Sequence, residues 1–249
     1  MNLQFRYAAK ILFPRRSHVE LGSDDWPGGQ RQHWRDGGAA GGGGGLSGGV
    51  EQFARRRLAD LVRALGPNAS AGSPAEAAAA GDLVVVTVPL RAYAQVPVEP
   101  LQSKVVIDTN NYYPERDGRF PSLDNGSDTT SGLLQKHLPR STVVKAFNNI
   151  YFKHLLALAR PTGAPDRTAL PIAGDHAAAK ATVTAFLDTI GYDAVDGGTL
   201  ADSWRFERDM PAYALPYFGP MTGGGIPDGA PAPAEKLRGL LAAATRPST

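Results

Sequence analysis

Four short runs rich in β-branched residues, each closed by polar residues, constrain this chain more than any other feature. They read LVVVTVP (Leu83–Pro89), KVVIDTNN (Lys104–Asn111), TVVKAFNN (Thr142–Asn149) and ALPIAGD (Ala169–Asp175). None alternates apolar with polar residues, which is the pattern of parallel strands buried on both faces. DAVDGG (Asp193–Gly198) is a short last strand candidate. Helical stretches lie between the runs. One surrounds SGLLQKHL, and an alanine-rich one extends from about His176 to Ile190 with Asp175 as its candidate N-cap. Upstream, LADLVRALG places Leu58, Leu61, Val62 and Leu65 on one helical face with Gly66 as a stop. Ser73-Pro74-Ala75-Glu76 has capping-box form and opens a helix to Ala80. Strands alternating with helices predict an α/β fold, a doubly wound and mostly parallel sheet.

In such sheets ligands bind beyond the carboxyl ends of the strands. Thr87, Val88 and Pro89, Thr109, Asn110 and Asn111, and Ala146 with Asn148 and Asn149 fall there. Asparagine closing a strand is an ordinary turn residue, because its side chain bonds local backbone. For either pair alone the two readings are even, but two Asn-Asn pairs on the ligand side of one sheet favour the alternative, a polar pocket. Gly174-Asp175-His176 reads better as a helix cap than as acid–base machinery. Asp202, Arg205, Glu207 and Arg208 in ADSWRFERD read as a solvated helix face with local ion pairs.

Composition narrows the chemistry. There are no cysteines, which excludes disulfides, thiol catalysis and cysteine-ligated metals, and His18, His33, His137 and His154 form no pair at metal-ligand spacing. A formal net charge of +2 argues against nucleic-acid binding. No apolar run approaches the length of a membrane span. The start MNLQFRYAAKILFPRRS lacks the apolar region and cleavage site of a secretory signal, so a cytoplasmic location is the default expectation. No G-x-S-x-G or G-x-x-x-x-G-K-[ST] motif is present, and no residue stands out as nucleophile or general base. Any enzymatic chemistry would fall to a bound cofactor.

GDLVVVTVPL, KVVIDTNNYYPERDG, VVKAFNNI, LPIAGD and IGYDAVDGGTLADSWRFE, in this order, resemble the deazaflavin (coenzyme F420)-dependent NADP reductase family. The resemblance covers about residues 58–220. It implies a Rossmann-like NAD(P)-binding domain, a form also found at the cytosolic end of certain metalloreductases. It further implies hydride transfer between NADPH and a small-molecule redox partner, a deazaflavin or flavin-like acceptor. The family sets the nicotinamide half of NADP(H) against the loops matching Thr87, Val88 and Pro89 and Ala146, Phe147 and Asn148; Asn110 joins this cofactor-binding set by its position. The family's diphosphate turn, G-x-G-x-x-G after strand one, and the Ser/Arg pair ending strand two have no counterpart at the expected place.

That place holds GGQRQHWRDGGAAGGGGGLSGGV, residues 28–50. Residues 1–57 carry nine of the 26 Lys and Arg, two of the three Trp, and five consecutive glycines at Gly41–Gly45. They read as an irregular N-terminal segment before the domain at 58–220, with a Gly/Pro-rich arm and a final helix over 221–249. Strand one, the first helix and strand two are therefore absent or degenerate in the expected fold. LQFRYAAKILF offers a substitute strand, short and without a glycine turn. Two accounts of residues 28–50 compete: a glycine-rich arm, or a shifted reading frame. Read one base later, the codons for residues 24–56 permit an apolar strand with a complete G-x-G-x-x-G, an amphipathic helix, and a second strand ending in Ser and Arg. The tryptophan codons then force glycine where the motif needs it, which favours the shifted frame. The nucleotide sequence decides between them: codons that cannot yield the shifted motif would sink the second account.

Overall fold

The computed structural model describes residues 7–11, 58–67, 69–220 and 225–246. The glycine-rich stretch at 28–50 lies outside them. The described residues fall into two units, one made of 7–11 with those from Pro74 onward, the other of those before Pro74 and after residue 57. In the smaller unit a helix spans 58–65 (α1), as the apolar spacing predicts. An Asp60–Arg63 pair at 2.8 Å braces it, and Gly66, at φ +83°, donates its N–H to the Val62 carbonyl at 3.1 Å.

The larger unit is built on parallel strands. Tyr7–Ile11 (β1) is followed by the helix Pro74–Ala80 (α2), with proline at its first position, and by Leu83–Thr87 (β2) and Val105–Asp108 (β3). Two single-turn helices, Pro114–Asp117 (α3) and Pro121–Asp124 (α4), lead to Thr130–His137 (α5) and Thr142–Lys145 (β4). The remainder runs through His154–Ala157 (α6), Ala169–Ile172 (β5), Ala177–Thr189 (α7), Asp193–Asp196 (β6) and Ala234–Ala243 (α8). One sheet has the order β1-β2-β3-β4, all parallel, and β5 pairs with β6 in a second parallel sheet. A single antiparallel bridge between Lys145 and Ala173 joins β4 to the end of β5. The α/β class with parallel strands is thus the one the sequence predicts.

The slot beside β2 is not open. β1 fills it in register, from Tyr7 opposite Leu83 to Ile11 opposite Thr87, so the substitute strand forms inside a segment expected to be irregular. Side chains on successive strand positions leave opposite faces. Val84, Val86, Val106 and Val143 accordingly pack on one side with Leu134 and Leu138, and Leu83, Ile107 and Val144 pack on the other with Val183, Leu187 and Phe206. Both faces are covered, which is why the runs show no polar alternation.

α5 starts where Thr129 accepts the Gly132 N–H at 3.0 Å on its hydroxyl. Gly132 leaves room there for Asp128, since a Cβ would meet an Asp128 carboxylate oxygen at 2.1 Å and that side chain would have to move. The cap expected of Asp175 is not made. His176 holds the N-cap position of α7, and Asp175 Oδ1 instead accepts the Leu200 N–H at 2.9 Å, tying the start of α7 to the 3₁₀ turn Leu200–Phe206.

The tail, expected as an arm with a helix, belongs to the core. Leu237 and Leu241 of α8 lie in the same apolar cluster as Leu170 and Ile172, and the Ala169 N–H reaches the Ala232 carbonyl at 2.8 Å. Leu237→Ala is expected to cost about 2–5 kcal/mol of unfolding free energy in urea denaturation. Leu156→Ala, at a residue 92% exposed, is expected to change it by less than about 0.5 kcal/mol. Equal effects would contradict this packing.

Candidate functional site

The carboxyl ends of β2, β3 and β4 are stitched together by the residues the sequence nominates. Asn110 Oδ1 accepts the Val88 N–H at 3.2 Å. The Thr109 hydroxyl sits 3.0 Å from that of Thr87 and donates to the Val86 carbonyl at 3.2 Å. Asn111 Nδ2 donates to the Asn148 carbonyl at 2.7 Å, and Asn148 Nδ2 donates back to Asn111 Oδ1 at 3.1 Å. A continuous set of contacts therefore runs from Val88 through Asn110 and Asn111 to Asn148. Thr87 is exposed, Pro89 half-buried at the start of the 3₁₀ turn Leu90–Gln95, and Ala146 fully buried. Asn149 faces away from this set, donating to the Ala212 carbonyl and the Tyr217 hydroxyl. These asparagines form long-range cross-links, beyond the local turn bonds that were the alternative reading.

Two atoms in the set have no hydrogen-bond partner. Asn110, 2% exposed, uses Oδ1 and leaves Nδ2 idle; Asn148, 6% exposed, uses Nδ2 and leaves Oδ1 idle. A buried polar group without a partner costs roughly 1–3 kcal/mol. Between Ala146 and Asn148, Phe147 has φ +66°, a left-handed conformation costly for a bulky residue. Idle polar atoms and backbone strain coincide on one crevice.

Beneath it lies a charged cluster that the sequence reading missed. Lys145, the last residue of β4, is fully buried. Its ammonium donates to the Thr130 hydroxyl at 2.6 Å and the Asn110 carbonyl at 2.9 Å, and lies 3.2 Å from Glu207 Oε1 and 3.9 Å from Asp108 Oδ2. The Thr130 hydroxyl donates to Glu207 at 2.7 Å, and the Ser131 hydroxyl to Asp108 at 2.6 Å. Glu207 is thus a ligand of the buried ammonium rather than part of a solvated face. Arg208 pairs across 3.0 Å with Glu115 and covers the Tyr113 ring. The one signal available beforehand is a lysine ending an otherwise apolar buried run.

Burial is the largest influence on Asp108 and raises its carboxyl above the ordinary value; Lys145, Ser131 and the Asn110 N–H oppose the rise. Burial likewise pushes the Tyr192 phenol up to about 12. A cleft of about 380 Å³ opens beside Glu207, lined by Tyr112, Glu115, Trp204, Arg208 and Arg246 among others. Among the described residues no group of three His, Asp or Glu could hold a metal, and no helix is long and apolar enough to cross a membrane.

Two measurements test the cluster. Lys145→Met strands two carboxylates and is expected to lower the unfolding free energy by about 3–5 kcal/mol. An unchanged urea midpoint would contradict the burial of that charge. For Asp108 the folded value lies above the unfolded one, so its contribution is full below the ordinary aspartate value of 3.8 and is lost as pH rises through the raised value. The melting temperature of Asp108→Asn, measured against wild type, should therefore climb as pH rises from the aspartate range to neutral. A constant difference across that window would contradict the shift.

Comparison with known proteins agrees with this architecture. The family described as NADP oxidoreductase, coenzyme F420-dependent, matches residues 51–112, beginning one residue past the glycine-rich stretch. YjhV of Escherichia coli (strain K12) is 38% identical over 53 residues, 21% of this chain and 39% of that protein, so the chain spans about two fifths of this curated relative. The crystal structure of the hypothetical protein SMa0349 from Sinorhizobium meliloti shares 26% identity at a TM-score of 0.54, covering 64% of this chain and 77% of that one. A structure from Arthrobacter sp. FB24, provisionally named an F420-dependent NADP-reductase, shares 25% identity at a TM-score of 0.45, over 53% of this chain and 61% of that one. Over residues 51–112, then, the chain is similar to the family of coenzyme F420-dependent NADP oxidoreductases.

Proposed function

We propose that this chain is an NADP-dependent oxidoreductase that moves a hydride between NADPH and a deazaflavin or flavin-like acceptor, with a weakened hold on the diphosphate end of the dinucleotide. The observation that carries the reading is the crevice at the carboxyl ends of β2, β3 and β4, where family-matched loops meet around idle polar atoms. A buried donor and a buried acceptor without partners fit a ligand that brings both, as the nicotinamide half of NADP(H) does. Thr87, Val88 and Pro89 would line one side of it, and Ala146 and Asn148 the other, with Asn110 between them. When bound, NADPH supplies the hydride; the protein supplies orientation and a surface from which water is excluded. Lys145 holds the Asn110 carbonyl and so fixes the middle of the crevice. Hydride exchange of this kind suits a cytoplasmic protein.

The weakened hold rests on a second observation. β1 takes the slot beside β2, yet the residues after it read Leu-Phe-Pro-Arg-Arg-Ser, with no glycine to let backbone N–H groups close on a diphosphate. This also supports the other reading, a noncatalytic paralogue or binding domain that no longer holds the dinucleotide. Calorimetric titration with NADPH, of this chain and of one with residues 24–56 replaced by their shifted-frame translation, separates the possibilities. The account expects weak binding by the first and tight binding by the second. It also expects NADPH absorbance to fall when the second is mixed with a deazaflavin or flavin. Tight binding by the chain as written would overturn the weakened hold. Binding without any absorbance change for either acceptor would favour the noncatalytic reading.

A further inference from the structure

The cleft of about 380 Å³ beside Glu207 already receives a cation from the chain itself. Arg246 follows α8, and its guanidinium carbon lies 5.1 Å from the centroid of the Trp204 ring. One terminal nitrogen donates to the Gly126 carbonyl. The other donates at 3.4 Å to the Ala201 carbonyl, near the start of the 3₁₀ turn that carries Trp204. Gly126 has φ +69°, and a Cβ there would stand 3.2 Å from the guanidinium, so this glycine both turns the chain and clears the space. Two carbonyls and an indole thus form a cradle for one planar group.

The carboxylates that line the cleft are engaged elsewhere. Asp124 pairs with Arg119 at 3.0 Å, Asp128 with Lys136 at 2.7 Å, and Glu207 with Lys145 at 3.2 Å. Arg208 takes Glu115 at 3.0 Å and Asp209 at 3.5 Å. The cradle therefore offers a π face and neutral acceptors. Those suit a guanidinium, which is planar, forked and weakly hydrated, better than an ammonium, which is compact and strongly hydrated. The hold on Arg246 is weak, because the residue is exposed and an exposed cation–π contact contributes only about 0.5–1 kcal/mol. With Arg246 in place the cleft keeps its 380 Å³, the size of a small-molecule site, with apolar surface from Leu123 and Met210. We propose that this cleft binds a guanidinium-bearing ligand, a small molecule or an arginine side chain of a peptide, and that Arg246 is its tethered competitor. The tether gives Arg246 a high effective concentration, so a free ligand binds more tightly once that guanidinium is removed. The proposal is independent of the dinucleotide reading.

Wild type and Arg246→Ala are titrated at constant ionic strength with butylguanidinium, with butylammonium, and with the capped tripeptide Gly-Arg-Gly. Binding is followed by the indole N–H resonance of Trp204 in a ¹⁵N–¹H correlation spectrum, assigned through its loss in Trp204→Phe. Butylguanidinium is expected to shift this resonance saturably in Arg246→Ala, with an affinity at least about fivefold higher than in wild type. In the same variant it is expected to bind at least about fivefold more tightly than butylammonium. Tighter binding of the tripeptide than of butylguanidinium assigns the site to an arginine side chain of a peptide, and the reverse order to a small molecule. A resonance that stays fixed in Arg246→Ala overturns the proposal. Equal affinity for the guanidinium and the ammonium overturns it too, since charge alone would then account for binding. Equal affinity of wild type and variant for butylguanidinium overturns the competition by Arg246. Arg246→Lys keeps the charge and loses the planar fork; the same gain over wild type is expected of it, and its absence overturns the competition even if the alanine variant does not fold.

Discussion

The ammonium of Lys145 is the interaction on which the rest of the site depends. A buried lysine charge is tolerated only when its three N–H groups are all used and opposite charge stands close. Here Asn110, Thr130 and, at 3.5 Å, Ser131 accept from it, while Glu207 and, just beyond, Asp108 supply the opposite charge. One atom thereby joins the end of β3, the end of β4, the first turn of α5 and the residue following the 3₁₀ turn at Leu200–Phe206. The backbone of the same residue makes the bridge to Ala173, so Lys145 also marks where the two sheets meet. Burial at the foot of this cluster raises the Asp108 carboxyl, Lys145 opposes the rise, and the Glu207 charge adds the smallest contribution to it.

The crevice inherits its geometry from that cluster. With the Asn110 carbonyl fixed by Lys145 and its N–H bonded to Asp108 at 3.0 Å, the Asn110 side chain is presented toward β2. Asn148 is set in the same way, by Asn111 on one side and the Phe206 carbonyl on the other. The segment 206–207 therefore contributes to both layers, holding Asn148 through a carbonyl and Lys145 through a carboxylate. Preorganisation of this kind keeps two amide atoms idle, at a folding cost of roughly 1–3 kcal/mol each.

The sequence made the strands legible because burial on both faces leaves an unmistakable pattern; the runs starting at Leu83, Lys104, Thr142 and Ala169 each contain a strand. It also pointed to the carboxyl ends of those strands, since ligand crevices in open α/β sheets follow from topology. What it could not show is which distant residue meets which. Glu207 lies 62 positions from Lys145 in sequence, and no local period connects them. Asp175 looked like a cap because an aspartate before an alanine-rich helix usually is one, and only the return of Leu200 reveals its other partner. Tyr7–Ile11 forms a strand through pairing with β2, and tertiary pairing of this sort overrides weak local preference.

The central claim is that the carboxyl ends of β2, β3 and β4 receive a nicotinamide group. The side-chain amide resonance of Asn110 in a ¹⁵N–¹H correlation spectrum, assigned through its absence in an Asn110 variant, reports on that claim at a single atom. Addition of reduced nicotinamide mononucleotide is predicted to shift this resonance downfield in a saturable manner as Nδ2 gains an acceptor. A resonance that stays fixed while the ligand saturates other signals would contradict the account.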